Sequence, residues 1–178
     1  MAKKFFAVEV TPSIARVAYG DNDVIGDFNV LPLPVRAGEA CLLRSVAIQD
    51  RNHVGANFDI VFVKNKTGDA ELGTSGDVVD ITDANLKTNI FLGSVHVEGN
   101  ADLQTGSQYT HYSDLVTNEG VTITGIDLVL GSSTITPSGS MTAEAQTGCY
   151  FGLVAREAYD TSGLAADGLT FTFGFEVL

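Results

Sequence analysis

The sequence predicts an all-β chain folded as an antiparallel β-sandwich, jelly-roll-like, with long loops and at most one short helix. Three observations predict it. Apolar residues recur at every second position in segment after segment. Clusters of Gly, Asn, Asp and Pro, drawing on 19 glycines and 4 prolines, punctuate the chain between those segments. Helical periodicity is nearly missing. A parallel α/β sheet is excluded, because its crossover helices have no counterpart in the sequence. A closed barrel is the alternative all-β arrangement.

The elements follow in order. Phe6, Val8 and Val10 alternate with Ala7 and Glu9, so residues 1–10 read as the first strand or as an N-terminal arm that adds to a neighbour, the first strand being favoured. Ile14–Tyr19 reads as a strand, Gly20–Asp23 as a turn, and Val24–Leu33 as a strand closed by Pro32 and Pro34. Cys41–Gln49 and Phe58–Val63 follow, the second ended by Lys64-Asn65-Lys66-Thr67-Gly68. The segment Asp80–Thr88 is the one helix candidate, with Thr82 or Asp83 as its cap. Ile90–Val97, Val121–Leu130, Cys149–Ala158 and Leu169–Val177 read as strands. In the last, Phe171, Phe173, Phe175 and Val177 share one face and predict the floor of a core. Polar, aperiodic Asp69–Asp80 and Ala101–Asn118 read as loops, and low-complexity Ser132–Gln146 as a long hairpin or an exposed loop. Neither a linker nor an internal repeat divides the chain, so residues 1–178 are expected to form a single domain.

Composition removes whole classes of function. The net charge of −12, from 22 acids against 10 bases, repels phosphate backbones and argues against nucleic acid as a partner. No apolar window is long enough for a membrane helix. The start, Met1 to Val10, carries two lysines like a signal peptide, but Glu9 interrupts the apolar run; synthesis in a cytoplasm without export is expected. Cys41 and Cys149 lack C-x-x-C spacing and have apolar neighbours, as buried thiols do; whether they pair is left open.

Catalytic signatures are missing as well. His53, His96 and His111 stand apart from one another and from both cysteines, so no zinc site is expected; the first and last read as loop residues and His96 as a solvent-facing strand residue. There is no G-x-S-x-G, H-E-x-x-H, Walker A or G-x-G-x-x-G motif. Asp21-Asn22-Asp23 and the spread Asp77, Asp80, Asp83 are oxygen-rich, but Ile25 stands where a calcium loop opening at Asp21 needs its third ligand, and solvated turns explain both groups. The expectation is a chain that is not an enzyme and takes no cofactor.

Three stretches carry a resemblance. Tyr19-Gly20-Asp21-Asn22-Asp23-Val24-Ile25-Gly26, then Leu43-Arg44-Ser45-Val46-Ala47-Ile48-Gln49-Asp50, then Asp59-Ile60-Val61-Phe62, with Asp83-Ala84-Asn85-Leu86 and Gly93-Ser94-Val95 beyond, resemble small virion structural proteins of tailed bacteriophages, of the head decoration or cement type. The resemblance covers about the first hundred residues and rests on short turn and core motifs. It implies a non-enzymatic β-domain that binds the capsid surface and stabilises or decorates the phage head. The major capsid protein is the implied partner, with a homo-oligomer on the capsid and a virion location. Phe5, Phe6 and the segment Leu31, Pro32, Leu33, Pro34 are the expected partner-binding residues. A minor tail protein is one alternative. A carbohydrate-binding β-sandwich module is another, although the chain has no Trp, and Tyr109 and Tyr112 are its only close pair of tyrosines in a loop candidate.

Overall fold

A computed structural model describes residues 3–50, 57–67, 71–97, 103–104, 110–112, 115–116, 122–123, 128–135, 146–160 and 168–177. The strands are β1 (Lys4–Val10), β2 (Ala18–Tyr19), β3 (Val24–Pro32), β4 (Ala40–Asp50), β5 (Phe58–Val63), β6 (Phe91–Val97), β7 (Leu103–Gln104) and β8 (Thr110–Tyr112). They continue as β9 (Leu115–Val116), β10 (Thr122–Ile123), β11 (Leu128–Gly131), β12 (Ser133–Ile135), β13 (Gln146–Ala155), β14 (Tyr159–Asp160) and β15 (Leu169–Val177), and α1 (Asp83–Asn89) precedes β6.

Eight of these strands build two antiparallel sheets. One runs β1-β15-β4-β11, with β8 and then β7 beside the far end of β4. The other runs β3-β13-β5-β6 and is extended by β9 and β10. Numbered one to eight along the chain, the main strands lie in the orders 1-8-3-6 and 2-7-4-5. That is the jelly-roll arrangement: consecutive main strands alternate between the sheets, except for the neighbours β5 and β6, and the first and last strands pair.

Sequence period explains the core. Phe171, Phe173 and Phe175 are buried on the inner face of β15, where Phe171 and Phe173 stack at 5.8 Å and Phe173 meets Phe62 and Phe151 edge-on. Phe58, Ile60 and Phe62 answer from β5, and Phe151 and Leu153 from β13, so one apolar cluster spans both sheets. The outer face of the second sheet is apolar too. Val24, Phe28, Val63 and Val154 form a second cluster there, covered by residues 71–86 through Leu72, Val79, Ile81 and Leu86. Leu72 seats directly on Gly152, where a Cβ would lie 2.2 Å from its Cδ1. A larger residue at this position of β13 would push the Leu72 side chain aside.

Several expected boundaries are corrected. Of Ile14–Tyr19, only Ala18–Tyr19 is a strand, because Pro12, Ser13 and the burial of Ile14 hold the preceding chain irregular across the sheet edge. The expected loop Ala101–Asn118 contains β7, β8 and β9, short strands that extend both sheets and follow no period. Val121–Leu130 divides into β10 and β11. Of Ser132–Gln146, residues 133–135 form β12, which pairs antiparallel to the start of β13, and residues 136–145 lie outside the described residues. Helix α1 starts one residue after Thr82, whose hydroxyl accepts from the Asn85 amide at 3.2 Å.

Candidate functional site

The N-terminal segment is the first strand. All seven residues of β1 pair with β15, from Lys4 opposite Val177 to Val10 opposite Phe171. Among the described residues β1 pairs with β15 alone and forms the edge of its sheet. Phe5 and Phe6 lie there 68% and 41% exposed. Phe5 points away from the core, because its neighbour Phe6 stands opposite inward-facing Phe175 and successive strand residues alternate faces.

Register then places a row of four residues across this outer face. Phe5 is opposite Glu176, Glu176 opposite Leu42, and Leu42 opposite Val129. Neighbouring strands lie about 4.8 Å apart, so the row spans about 15 Å. Val129 is 56% exposed and Leu42 half-buried. Glu176 lies under two cations: Lys3 Nζ is 2.6 Å from its Oε1 and Arg44 Nη2 is 2.6 Å from its Oε2. Hydrogen bonds from Lys3, then Arg44, hold the Glu176 carboxyl below its ordinary value. The neighbouring row, Ala7, Gly174 and Ser45, is built of small residues and leaves the face flat.

The segment Leu31–Pro34 lies apart from that surface, at the end of β3 in the second sheet. Leu31 and Leu33 are buried in the shared core, while Pro32 and Pro34 are half-buried. The physical reason is the period: leucines two apart on an extended chain share a face, and here that face is the inner one. The Leu33 amide donates to the Thr147 carbonyl at 3.0 Å, which fixes the segment to β13.

A second site lies on the opposite sheet. Asp59 sits in β5 across from His96 in β6 and Val154 in β13. Its side chain is 6% exposed; Arg156 Nε donates to Oδ2 at 2.6 Å, and His96 Nδ1 lies 2.6 Å from Oδ1. A carboxylate only accepts, so Nδ1 carries the proton. Arg156 also donates to Asn22 Oδ1 at 2.5 Å. This knot ties β5, β6, β13 and the Asp21–Asp23 turn together, and it corrects the picture of His96 as a solvent-facing residue. A cleft of about 540 Å³ adjoins the knot, lined by Asn22, Asp59, Ser94 and Arg156 on its polar side and by Phe91 and Leu86 among its apolar groups.

The remaining candidates fall into place around these two sites. His53, Tyr109 and the segment 136–145 lie outside the described residues. His111 is a residue of β8 opposite Gln49, not of a loop. Asp23 is buried and accepts from the Gly20 amide at 2.6 Å, so it closes its own turn where a solvated residue was expected. Among the described residues no group of three or more His, Cys, Asp or Glu side chains is placed to hold a metal ion. Cys41 and Cys149 are both free and buried. Burial pushes the Cys41 thiol up to about 11 and raises that of Cys149 further.

No family model matches the chain, and no curated protein matches it. Among solved structures, the infectious bursal disease virus VP2 subviral particle is similar to 99% of this chain at a TM-score of 0.28 and 8% sequence identity. The chain spans 41% of that chain's length. A likeness that loose shows neither a family nor a role.

Sequence reasoning missed Leu42, Val129 and the Asp59–His96–Arg156 knot. The knot's members are 37 and 97 positions from Asp59, and only strand pairing joins them. One local signal existed: Asp59 interrupts an otherwise apolar strand, and a buried acid needs partners.

Proposed function

We propose that this chain is a non-enzymatic virion structural protein that binds the surface of a phage capsid and stabilises or decorates the head. The observation that carries the reading is the outer face of the first sheet, which no apolar cluster covers among the described residues, with Phe5, Leu42 and Val129 in one row and Lys3 and Arg44 beside it. Protein interfaces centre on aromatic and aliphatic anchors near arginine, and this row has that composition on a rigid sheet. The motifs behind the phage resemblance occupy the turn into β3, most of β4 and the middle of β5. They are framework residues, which leaves the capsid contact to the outer face. The major capsid protein is the partner, the virion the location, and no cofactor takes part.

The test mixes purified protein with empty phage heads and sediments the heads. A saturable, fixed ratio of protein to capsid subunits is expected, and Phe5→Asp combined with Val129→Asp lowers that occupancy at least tenfold while the fold is kept. Absence of binding to heads overturns the reading. A second reading, a carbohydrate-binding module, is favoured by Phe91, which stands 47% exposed at a cleft with Asn22, Ser94 and Arg156. An aromatic face beside planar polar groups suits a sugar ring. A saturable thermal shift with oligosaccharides, abolished by Phe91→Ala, would select it.

A further inference from the structure

We propose that β1 pairs with β1 of a second copy, antiparallel across a two-fold axis, joining the two first sheets into one continuous sheet. The strand has the backbone for this. Its inner side is fully paired to β15, and among the described residues no strand lies on its other side. A seven-residue edge with two exposed phenylalanines is a ready template for another strand. Of the devices that blunt such edges, β1 has neither a bulge nor a proline, and its one inward-face charge, Lys4, stands at the end of the strand opposite Val177.

Charge and side-chain alternation select both the occupant and the register. Lys3 and Lys4 stand at one end of the edge and Glu9 at the other, so the edge is complementary to itself when reversed. In antiparallel pairs, residues directly opposite point to the same face. The register with Phe6 opposite Phe6 of the second copy satisfies that rule. It also sets Phe5 opposite Ala7, and Lys3 opposite Glu9, twice by symmetry. Lys3 remains 58% exposed while bound to Glu176, and an ammonium has three donors to share. The alternative register, Ala7 opposite Ala7, sets each Phe5 against Glu9 and leaves Lys3 without an acid, so it is the poorer one. In the chosen register the pairs of Phe5 come to the middle of a flat double-width face. The edge then serves self-association while the face stays free, so the pairing holds whether or not the chain decorates a capsid.

The experiment is run in solution without heads, so its failure is distinct from failure of capsid binding. Sedimentation equilibrium of the full chain is expected to give a dimer. Glu9→Lys replaces both attractions by repulsions and weakens it about tenfold. Lys3→Glu together with Glu9→Lys restores it in a Glu176→Gln background, which takes away the acid that Lys3 otherwise neutralises. Phe6→Cys forms an intermolecular disulfide on mild oxidation, because opposed strand residues lie within the Cα distance of about 4.4–6.8 Å that a disulfide spans. Lys4→Cys, opposite Val8, does not. The buried Cys41 and Cys149 stay out of that reaction. A monomer at concentrations up to about 1 mM overturns the proposal. So does a dimer that ignores Glu9→Lys and leaves Phe6→Cys uncrosslinked, since such a dimer uses another surface.

Discussion

Phe173→Ala tests whether the phenylalanine ladder is the centre of the molecule. Phe173 is wholly buried and meets four other rings: Phe62 and Phe151 edge-on at 6.1 and 5.2 Å, Phe171 and Phe175 stacked at 5.8 and 6.5 Å. Those neighbours come from β5, β13 and β15 itself, so the ring joins both sheets. Truncation of a buried Phe to Ala costs about 3–5 kcal/mol, and more where surrounding groups cannot collapse into the space. Here the walls are rings held on regular strands, which resist collapse, so about 5 kcal/mol is expected. For a chain of this length each kcal/mol lowers Tm by about 2–4 °C, which gives a fall of roughly 10–20 °C. Calorimetry and urea unfolding both measure it, with Phe5→Ala as the control, expected to stay within about 0.5 kcal/mol because that ring is exposed. A loss below about 2 kcal/mol, or equal losses at the two positions, would refute a core centred on this ring.

Three further outcomes follow from the same geometry. Arg156→Ala removes the guanidinium from the buried Asp59 carboxylate and leaves it facing His96 in the knot; since Arg156 is 40% exposed, a loss of about 2 kcal/mol in urea unfolding is expected, below the full cost of a stranded buried charge, and a loss under about 0.5 kcal/mol would count against the knot. Glu176 has its folded value below the ordinary 4.5, so its contribution is fully present above that value and is lost as pH falls through the lowered one. The Tm advantage of the wild type over Glu176→Gln is therefore constant above about pH 5 and narrows as the pH falls below 4.5, and a gap that widens on acidification contradicts the ion cluster. Ile90 caps α1 with φ 58°, a left-handed conformation costly for a β-branched residue; relief of about 1 kcal/mol, partly offset by the added freedom of the unfolded chain, makes Ile90→Gly stabilising by about 0.5 kcal/mol, and a fall in Tm would contradict it.

What the sequence disclosed follows from the range of the forces involved. Alternation on β15 and β5 is local, and it located the strands and the inward phenylalanines within a residue or two. The capping hydroxyl of Thr82 lies three positions from the amide it receives, and it marked α1 equally well. Thr110–Tyr112 and Leu115–Val116 are too short to show a period, so β8 and β9 were illegible: strands this short exist because a neighbouring edge offers hydrogen bonds. At the candidate site, Phe5 and Phe6 were legible as apolar residues at a basic terminus. The burial of Leu31 and Leu33 was illegible, because a Leu-Pro-Leu-Pro run looks the same in sequence whichever face of the sheet its leucines occupy. Leu42 and Val129 join Phe5 only through register between strands distant in the chain.

The two outer faces of the sandwich explain why function is sought on one and stability on the other. Outward positions of the second sheet include Phe28, Val63 and Val154, which water would solvate poorly, and the chain spends residues 71–86 on covering them. Gly152 makes room for that cover, so the arrangement is built into β13. Outward positions of the first sheet are Ala7, Thr172, Gly174, Ser45 and Ala47, which need no cover. A face of that kind gains nothing by hiding three apolar side chains at one end, yet Phe5, Leu42 and Val129 stand there in register. Scattered singly, such residues would be ordinary surface. Aligned across the strands of a rigid sheet, beside two cations that already neutralise the acid among them, they make the surface on which the proposed capsid contact rests.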